Sequence, residues 1–220
     1  KKVRMRSYSP VTRGHSGQIK KAVELMLKAR RPLFFTGGGV VSGRASEALT
    51  DLVRRLNFPI TTSLMGIGAY PQGDRQCLGW PGMHGSYESN NAMHHTDLII
   101  CIGARFDDRV TNNTSKFCPT AKIIHVDIDP SSVSKTVRAD VPIVGPADAV
   151  INEMISLVQG RELANPDALE AWWSQIDGWR AEREGKLYEP SAPGEPLKPQ
   201  QVVEAVHRAT RGEAFVATDV

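Results

Sequence analysis

The chain has 220 residues, 40% hydrophobic and 23% charged, an ordinary globular make-up long enough for one sizeable domain plus appendages. Its net charge of +3 is too small to argue for a nucleic-acid or membrane partner, and no apolar run approaches the roughly 18 residues that a spanning helix needs. Cys77, Cys101 and Cys118 are dispersed, without C-x-x-C spacing, which suits reduced thiols in a reducing, cytoplasmic compartment.

Residues 1–14 carry Lys1, Lys2, Arg4, Arg6 and Arg13 with Pro10 and Gly14, the pattern of an extended basic connector. The alternative, a nucleic-acid arm, lacks the aromatic or basic platform that would follow one. Residues 16–30 predict a helix: Ile19, Val23, Met26 and Leu27 fall at helical spacing, and Pro32 ends it. Leu33 to Thr36 is a short apolar strand running straight into Gly37-Gly38-Gly39. A helix follows from about Gly43 to Leu56, with Ala48, Leu49, Leu52, Val53 and Leu56 on one face. Strand, glycines and helix in that order can set backbone N–H groups against a phosphate. The G-x-G-x-x-G fingerprint is missing, however, and a tight turn without a ligand explains the glycines equally.

Pro59 to Ser63 is the next strand, and Leu64 to Pro71 a glycine-punctuated loop in which Met65 is either core filler or a side chain pressed on a flat ligand. Gly79, Gly82 and Gly85 then make a flexible loop, and Ser86 caps a helix reaching His95 with Glu88 in its first turn. Leu98 to Ile102 is apolar at every residue, as a strand buried on both faces requires. The turn behind it, Gly103-Ala104-Arg105-Phe106-Asp107-Asp108-Arg109, lies where open parallel sheets bind ligands. That makes it the leading site candidate; the plain alternative is a solvated loop of Arg–Asp pairs. Ala121 to Asp127 is a further strand, and Asp127 either accepts hydrogen bonds from a ribose or ribityl hydroxyl or caps the next turn. Asp140 to Gly145 is the last strand, with Pro146 placed at the first position of a helix to Gln159. The expectation is a doubly wound parallel α/β sheet of five strands, with a sixth near Cys77, over residues 15–159.

Residues 160–198 change character. Asp167 to Arg183 predicts a helix whose Trp172, Trp173, Ile176 and Trp179 form one stripe, best explained by packing on the preceding domain. Pro190, Pro193, Gly194, Pro196 and Pro199 make a linker. Residues 199–220 then begin another α/β domain, with a helix through Val206 and a strand at Phe215. With no initiator Met, no signal-peptide pattern and an apolar run at its end, the chain reads as a segment of a longer polypeptide.

The residues do not form a catalytic constellation. His94 and His95 are adjacent on a helix and point apart, so one metal cannot take both from one face. Only one of Asp107 and Asp108 can face a site, and there is no nucleophile elbow or Walker motif. His84, in the glycine loop, is the better site histidine. What remains is a cofactor cradle.

The run G-M-H-G-S-Y-E-S-N-N-A-M-H-H-T-D-L-I-I-C-I-G-A-R-F-D-D-R-V-T, followed by H-V-D-I-D-P-S-S-V-S-K, resembles the central domain of the large subunit in the acetohydroxyacid synthase (acetolactate synthase) family, biosynthetic branch. The likeness extends to S-L-M-G-I-G-A-Y-P, the tryptophan helix and the terminal A-F-V-A-T-D-V. It implies a thiamine-diphosphate and Mg2+ carboligase acting on pyruvate and 2-oxobutyrate, built from three α/β domains, the middle one holding FAD without net redox work. It also implies a homodimer or tetramer with a small regulatory subunit. Carried over by residue, Gly37, Gly38 and Gly39 approach the diphosphate side of FAD; Ser63, Leu64 and Met65 line the flavin; and Met83 and His84 sit beside it. Gly103, Ala104, Arg105, Asp107, Arg109 and Val110 follow the cofactor, Asp127 and Ile128 lie by the adenosine, and Gly145 closes the site. Met83, Asp108 and Arg109 also match positions near a substrate channel. Many relatives have Gly-Asp where this chain has Gly145-Pro146, which removes a carboxylate contact. The family's catalytic glutamate and its Asp–Asn metal motif match nothing in this chain, so the segment is expected to bind FAD weakly and to lack carboligase activity alone. The rivals are a glyoxylate carboligase, an oxidase or a stand-alone nucleotide-binding module.

Overall fold

A computed structural model describes residues 10–184 and 189–217. Lys1, Lys2, Arg4 and Arg6 of the basic connector, and Thr218, Asp219 and Val220 at the chain's end, lie outside them. The chain divides into two compact units, Lys1–Arg180 and Ala181–Val220.

The first unit is built on a five-stranded, all-parallel sheet: β1 (Pro32–Thr36), β2 (Ile60–Thr62), β3 (Leu98–Ile102), β4 (Lys122–Asp127) and β5 (Val141–Val144), in spatial order β2-β1-β3-β4-β5. β1 and β3 are buried at every residue, which explains the unbroken apolar run of β3 and the Leu33-Phe34-Phe35 run of β1. β5 is an edge strand, and the exposed Pro142 is tolerated there because an edge leaves one side of the ladder unpaired. The expected sixth strand is not formed; near Cys77 there is a single bridge to Ile60, too short to extend the sheet.

α1 (Ser16–Lys28), α3 (Ser46–Leu56) and α6 (Ala147–Val158) pack on one another over one sheet face. Alternation along the strands places Phe35, Thr61, Cys101 and His125 on the opposite face, and there α4 (Tyr87–His95) docks through a 2.6 Å Thr61–Ser89 hydroxyl bond. Ser86 caps α4 as its sequence implied, its Oγ accepting from the Ser89 N–H. The helix expected from about Gly43 starts at Ser46, as α3, and a short helix not expected from the sequence, α2 (Gly38–Ser42), precedes it; Arg44, with φ 52°, separates the two. Pro146 is the N-cap of α6, one position before its expected place.

α7 (Pro166–Glu184) carries the tryptophans. Trp172 and Trp173 are buried, their indole N–H groups donating to the carbonyls of Pro32 (3.0 Å) and Asn57 (2.8 Å). Trp179 stacks on His95, ring centroids 5.5 Å apart. The stripe therefore packs on the domain that precedes it. In the second unit α8 (Pro199–Thr210) starts where the Lys198 N–H donates to Gln201 Oε1 (2.9 Å). The strand expected at Phe215 is not formed over residues 214–217; a strand needs a ladder partner, and none of the described residues provides one.

Candidate functional site

The strand order reverses between β1 and β3. β1 connects to a strand on one side and β3 lies on the other, so the carboxyl ends of these two strands border the crevice that an open parallel sheet leaves for a ligand. Gly37-Gly38-Gly39 and Gly103-Ala104 are the residues at that point. They are small because the two turns touch. A Cβ on Gly37 would lie 2.4 Å from the Gly103 carbonyl oxygen, and one on Gly39 2.8 Å from the Gly103 Cα. The N–H groups of Gly37 and Gly39 donate to the carbonyls of Ile102 (3.1 Å) and Gly103 (3.0 Å). Those two amides are thus engaged inside the protein, and the glycines first serve close packing. Gly38 abuts Met65, and the Ser63 N–H donates to the Thr36 carbonyl (2.8 Å), so the 63–66 turn joins the same edge.

A cleft of about 200 Å³ opens beside this contact. Gly39, Gly103, Asp127, Ile128, Gly145 and Pro146 line it. It thereby gathers five sequence-singled residues from four separate turns. Asp127 caps its own turn, Oδ1 accepting from the Asp129 N–H (2.9 Å); among the described residues the carboxylate's second oxygen has no hydrogen-bond donor. Asp129 is held below the usual carboxylate range chiefly by the Ser131 hydroxyl and amide. Gly145 is small for a reason the sequence did not show: a Cβ there would strike the backbone of Gly14 at 2.7 Å.

The turn behind β3 divides by burial. Ala104 and Phe106 point inward, while Arg105, Asp107, Asp108 and Arg109 are exposed. Among the described residues none of these four charged side chains forms an ion pair, which disposes of the picture of a loop held by Arg–Asp pairs. Beneath the turn, the Ala104 carbonyl accepts from His125 Nε2 (3.0 Å) and Cys101 Sγ (3.2 Å). Because a carbonyl only accepts, His125 carries its proton on Nε2; its Nδ1 has no partner among the described residues. Burial lowers the His125 pKa and raises that of Cys101 far above the usual thiol value, so both groups are neutral donors. Sequence reasoning missed His125, although a histidine inside the apolar run Ile123-Ile124-His125-Val126 was the available signal.

Met83 and His84 lie in the loop whose Gly82 is clasped by the Asn90 amide group, with bonds of 2.8 and 3.0 Å. A Cβ on Gly82 would meet the Arg109 carbonyl oxygen at 2.5 Å, so Met83 and Arg109 sit in adjoining segments. Val110 is not on the cleft; it lines a separate depression of about 250 Å³ with Met93 and Phe117. Leu64 (72%), Met65 (77%), Met83 (77%) and Ile128 (65%) are far more exposed than their apolar side chains would favour, and all four are residues that the sequence singled out.

The family model described as "Thiamine pyrophosphate enzyme, central domain" matches residues 19–154, more than half of the chain. The chain belongs to that family. The chain is 51% identical over 218 residues to the acetolactate synthase large subunit of Haemophilus influenzae, covering 99% of this chain and 38% of that protein. It is 47% identical over 219 residues to the acetolactate synthase isozyme 3 large subunit of Escherichia coli, again 99% and 38%. To the acetolactate synthase of Mycobacterium leprae it is 40% identical over 219 residues, 100% and 35%. The chain thus spans little more than a third of the length of the curated relatives it matches.

The central domain has a larger cleft, about 620 Å³, between α3 and the 68–72 loop. It is wide open, and Gly68 to Pro71 of the S-L-M-G-I-G-A-Y-P run line it, but none of the candidate cofactor or channel residues does, so the smaller cleft at the carboxyl ends of the strands remains the candidate. Among the described residues no group of three or more His, Cys, Asp or Glu side chains is placed to hold a metal, and no helix is long and apolar enough to cross a membrane. The three cysteines are free thiols.

Proposed function

We propose that this chain is the FAD-holding central domain of an acetolactate synthase, which joins the two-carbon unit of decarboxylated pyruvate to pyruvate or 2-oxobutyrate on the route to branched-chain amino acids. The observation that carries this reading is identity of 40% to 51% over essentially the whole chain to proteins of that name.

The residues present fit a flavin dinucleotide. Gly39, Gly103, Asp127, Ile128 and Gly145 border a strand-end cleft. Among the described residues, Asp127 has a carboxylate oxygen without a partner that suits a ribose hydroxyl, and Arg105 and Arg109 form no ion pair, which suits them to a diphosphate. Gly37 and Gly38 let the cofactor's path run close to the backbone. Leu64, Met65 and Met83, with Ser63 and His84 beside them, offer an exposed apolar surface to a flat ring system. Ala104, Asp107 and Val110 shape the turn. Met83, Asp108 and Arg109 border the substrate channel. FAD has a structural part in the carboligation and does no net redox work there. Thiamine diphosphate and Mg2+ act on other parts of the full-length enzyme, a cytoplasmic homodimer or tetramer with a small regulatory subunit.

FAD titrated into the purified chain tests the cradle. A ligand that binds only the folded state stabilises it by about 2.7 kcal/mol at a hundredfold excess over its dissociation constant, so the melting temperature should climb with FAD concentration. The full-length polypeptide carrying this chain should release acetolactate from pyruvate and consume no oxygen, whereas the chain alone should release none. Glyoxylate carboligation or oxygen uptake by the full-length polypeptide would refute the assignment.

A further inference from the structure

The turn behind β3 has an outward side, which carries Arg105, Asp107, Asp108 and Arg109, and a buried side with a hydrogen-bond arrangement of its own. Ala104 there offers one carbonyl to two donors, His125 Nε2 and Cys101 Sγ, at 3.0 and 3.2 Å. A carbonyl oxygen has two lone pairs, so both bonds form at once. The donors come from register-paired positions of β3 and β4, so the sheet itself sets their spacing. Phe106 closes the pocket: its ring lies edge-on to His125 at 5.2 Å and tilted to Phe35 at 5.8 Å. His125, Cys101, Ala104 and Phe106 are all buried.

The same carbonyl belongs to the peptide that carries the Arg105 N–H. A peptide unit is planar and trans, so its N–H points opposite to its C=O. With the carbonyl held toward the core, the Arg105 N–H is turned outward. Among the described residues it has no hydrogen-bond partner, and the Arg105 side chain is exposed beside it.

We propose that His125 and Cys101 are positioning residues of the candidate cofactor site: by clamping the Ala104 carbonyl they fix the plane of the 104–105 peptide and aim the free Arg105 N–H at the bound ligand. This rests on the FAD reading for the identity of the ligand, but not for the clamp. The two donors divide the work. His125 sets the direction through a rigid ring, and Cys101 fills the second lone pair, so neither alone reproduces the geometry.

The test uses the full-length polypeptide carrying this chain, labelled with 15N-arginine. The Arg105 amide shift responds to hydrogen bonding at the Ala104 carbonyl with which it shares a peptide. His125→Phe keeps a flat ring and removes the donor; Cys101→Ala removes the other. Each should weaken FAD binding about tenfold, the loss of one hydrogen bond's worth of alignment, and displace the Arg105 resonance. His125→Gln and Cys101→Ser restore a donor and should recover both readouts, a rescue that general loss of packing would not give. If His125→Phe is folded, binds FAD like the parent and leaves the Arg105 shift in place, the clamp is refuted. Should His125→Phe fail to fold, the two Cys101 variants decide by the same criteria. A parent protein that binds no FAD would defeat the cofactor reading alone; the Arg105 shift in the variants would still uphold or overturn the clamp.

Discussion

Gly39 and Gly103 meet through bare backbone. The Gly39 N–H donates to the Gly103 carbonyl at 3.0 Å, and a Cβ on either residue would approach the other's Cα within 2.9 Å. This contact joins the ends of β1 and β3, the two strands between which the sheet order reverses, and it forms one wall of the strand-end cleft.

Gly103→Ala should therefore be one of the costliest single-methyl additions in the protein. Gly103 has φ 60°, and its Cβ would also lie 2.8 Å from the Val40 nitrogen. Left-handed strain and overpacking each cost about 1–3 kcal/mol. Gly73→Ala, where a Cβ meets nothing within 4 Å, should change stability by less than about 0.5 kcal/mol. Urea unfolding of the two variants checks the contrast; equal midpoints would remove the reason given for the glycine.

Trp172→Phe should destabilise the first unit by about 1–3 kcal/mol, because the Pro32 carbonyl at the start of β1 loses a buried donor. The tryptophan fluorescence transition and the far-ultraviolet dichroism transition should shift together to lower denaturant. If the helix melted separately and the sheet did not move, α7 would not be part of the core.

Met65→Ser and Met83→Ser should leave the melting temperature of the ligand-free protein nearly unchanged, since both side chains are already in solvent. The same changes should weaken FAD binding by about tenfold, through loss of apolar contact area. Calorimetric unfolding and flavin fluorescence together separate the two effects. A large stability loss with unchanged affinity would assign these methionines to packing.

Acid should destabilise the fold through His125. Burial lowers its pKa below the ordinary 6.5, opposed by the Ala104 carbonyl and by Asp127. The folded state therefore resists a proton that the unfolded chain accepts. Stability is full above the unfolded value of 6.5 and falls as pH drops below it toward the folded pKa, at a slope of up to about 1.4 kcal/mol per pH unit. His125→Gln should flatten that part of the profile. An unaltered slope between pH 6.5 and 5 would mean that other groups carry the acid sensitivity.

Arg105→Ala should lower FAD affinity about tenfold to a hundredfold, the range for a charged hydrogen bond, with the fold intact because the side chain is exposed and forms no ion pair among the described residues. The loss should shrink as salt is raised in the parent protein. Unchanged binding would move the diphosphate away from this turn.

Most elements were legible from local pattern. Leu98 to Ile102 declared a strand buried on both faces, Ser86 declared a cap, and Trp172, Trp173 and Ile176 declared a face that had to be covered. Periodicity, capping and burial are properties of neighbours in sequence, so one sequence carries them, and the long G-M-H-G to H-V-D-I-D-P run carried the family. Other features depend on residues far apart in the chain meeting in space. Strand order made β1 and β3 the crossing point, and no stretch of either strand states who its partner is. Gly145 is a glycine because Gly14 lies on it, and Gly37 and Gly39 direct their N–H groups at the end of β3 and the turn behind it. His125 reads locally as a polar oddity in a strand and becomes intelligible only when its register partner Cys101 and the Ala104 carbonyl are placed beside it. A hydrogen bond is directional and short, so where these groups point is decided by the packed tertiary structure, while which groups are available to point is decided by the sequence.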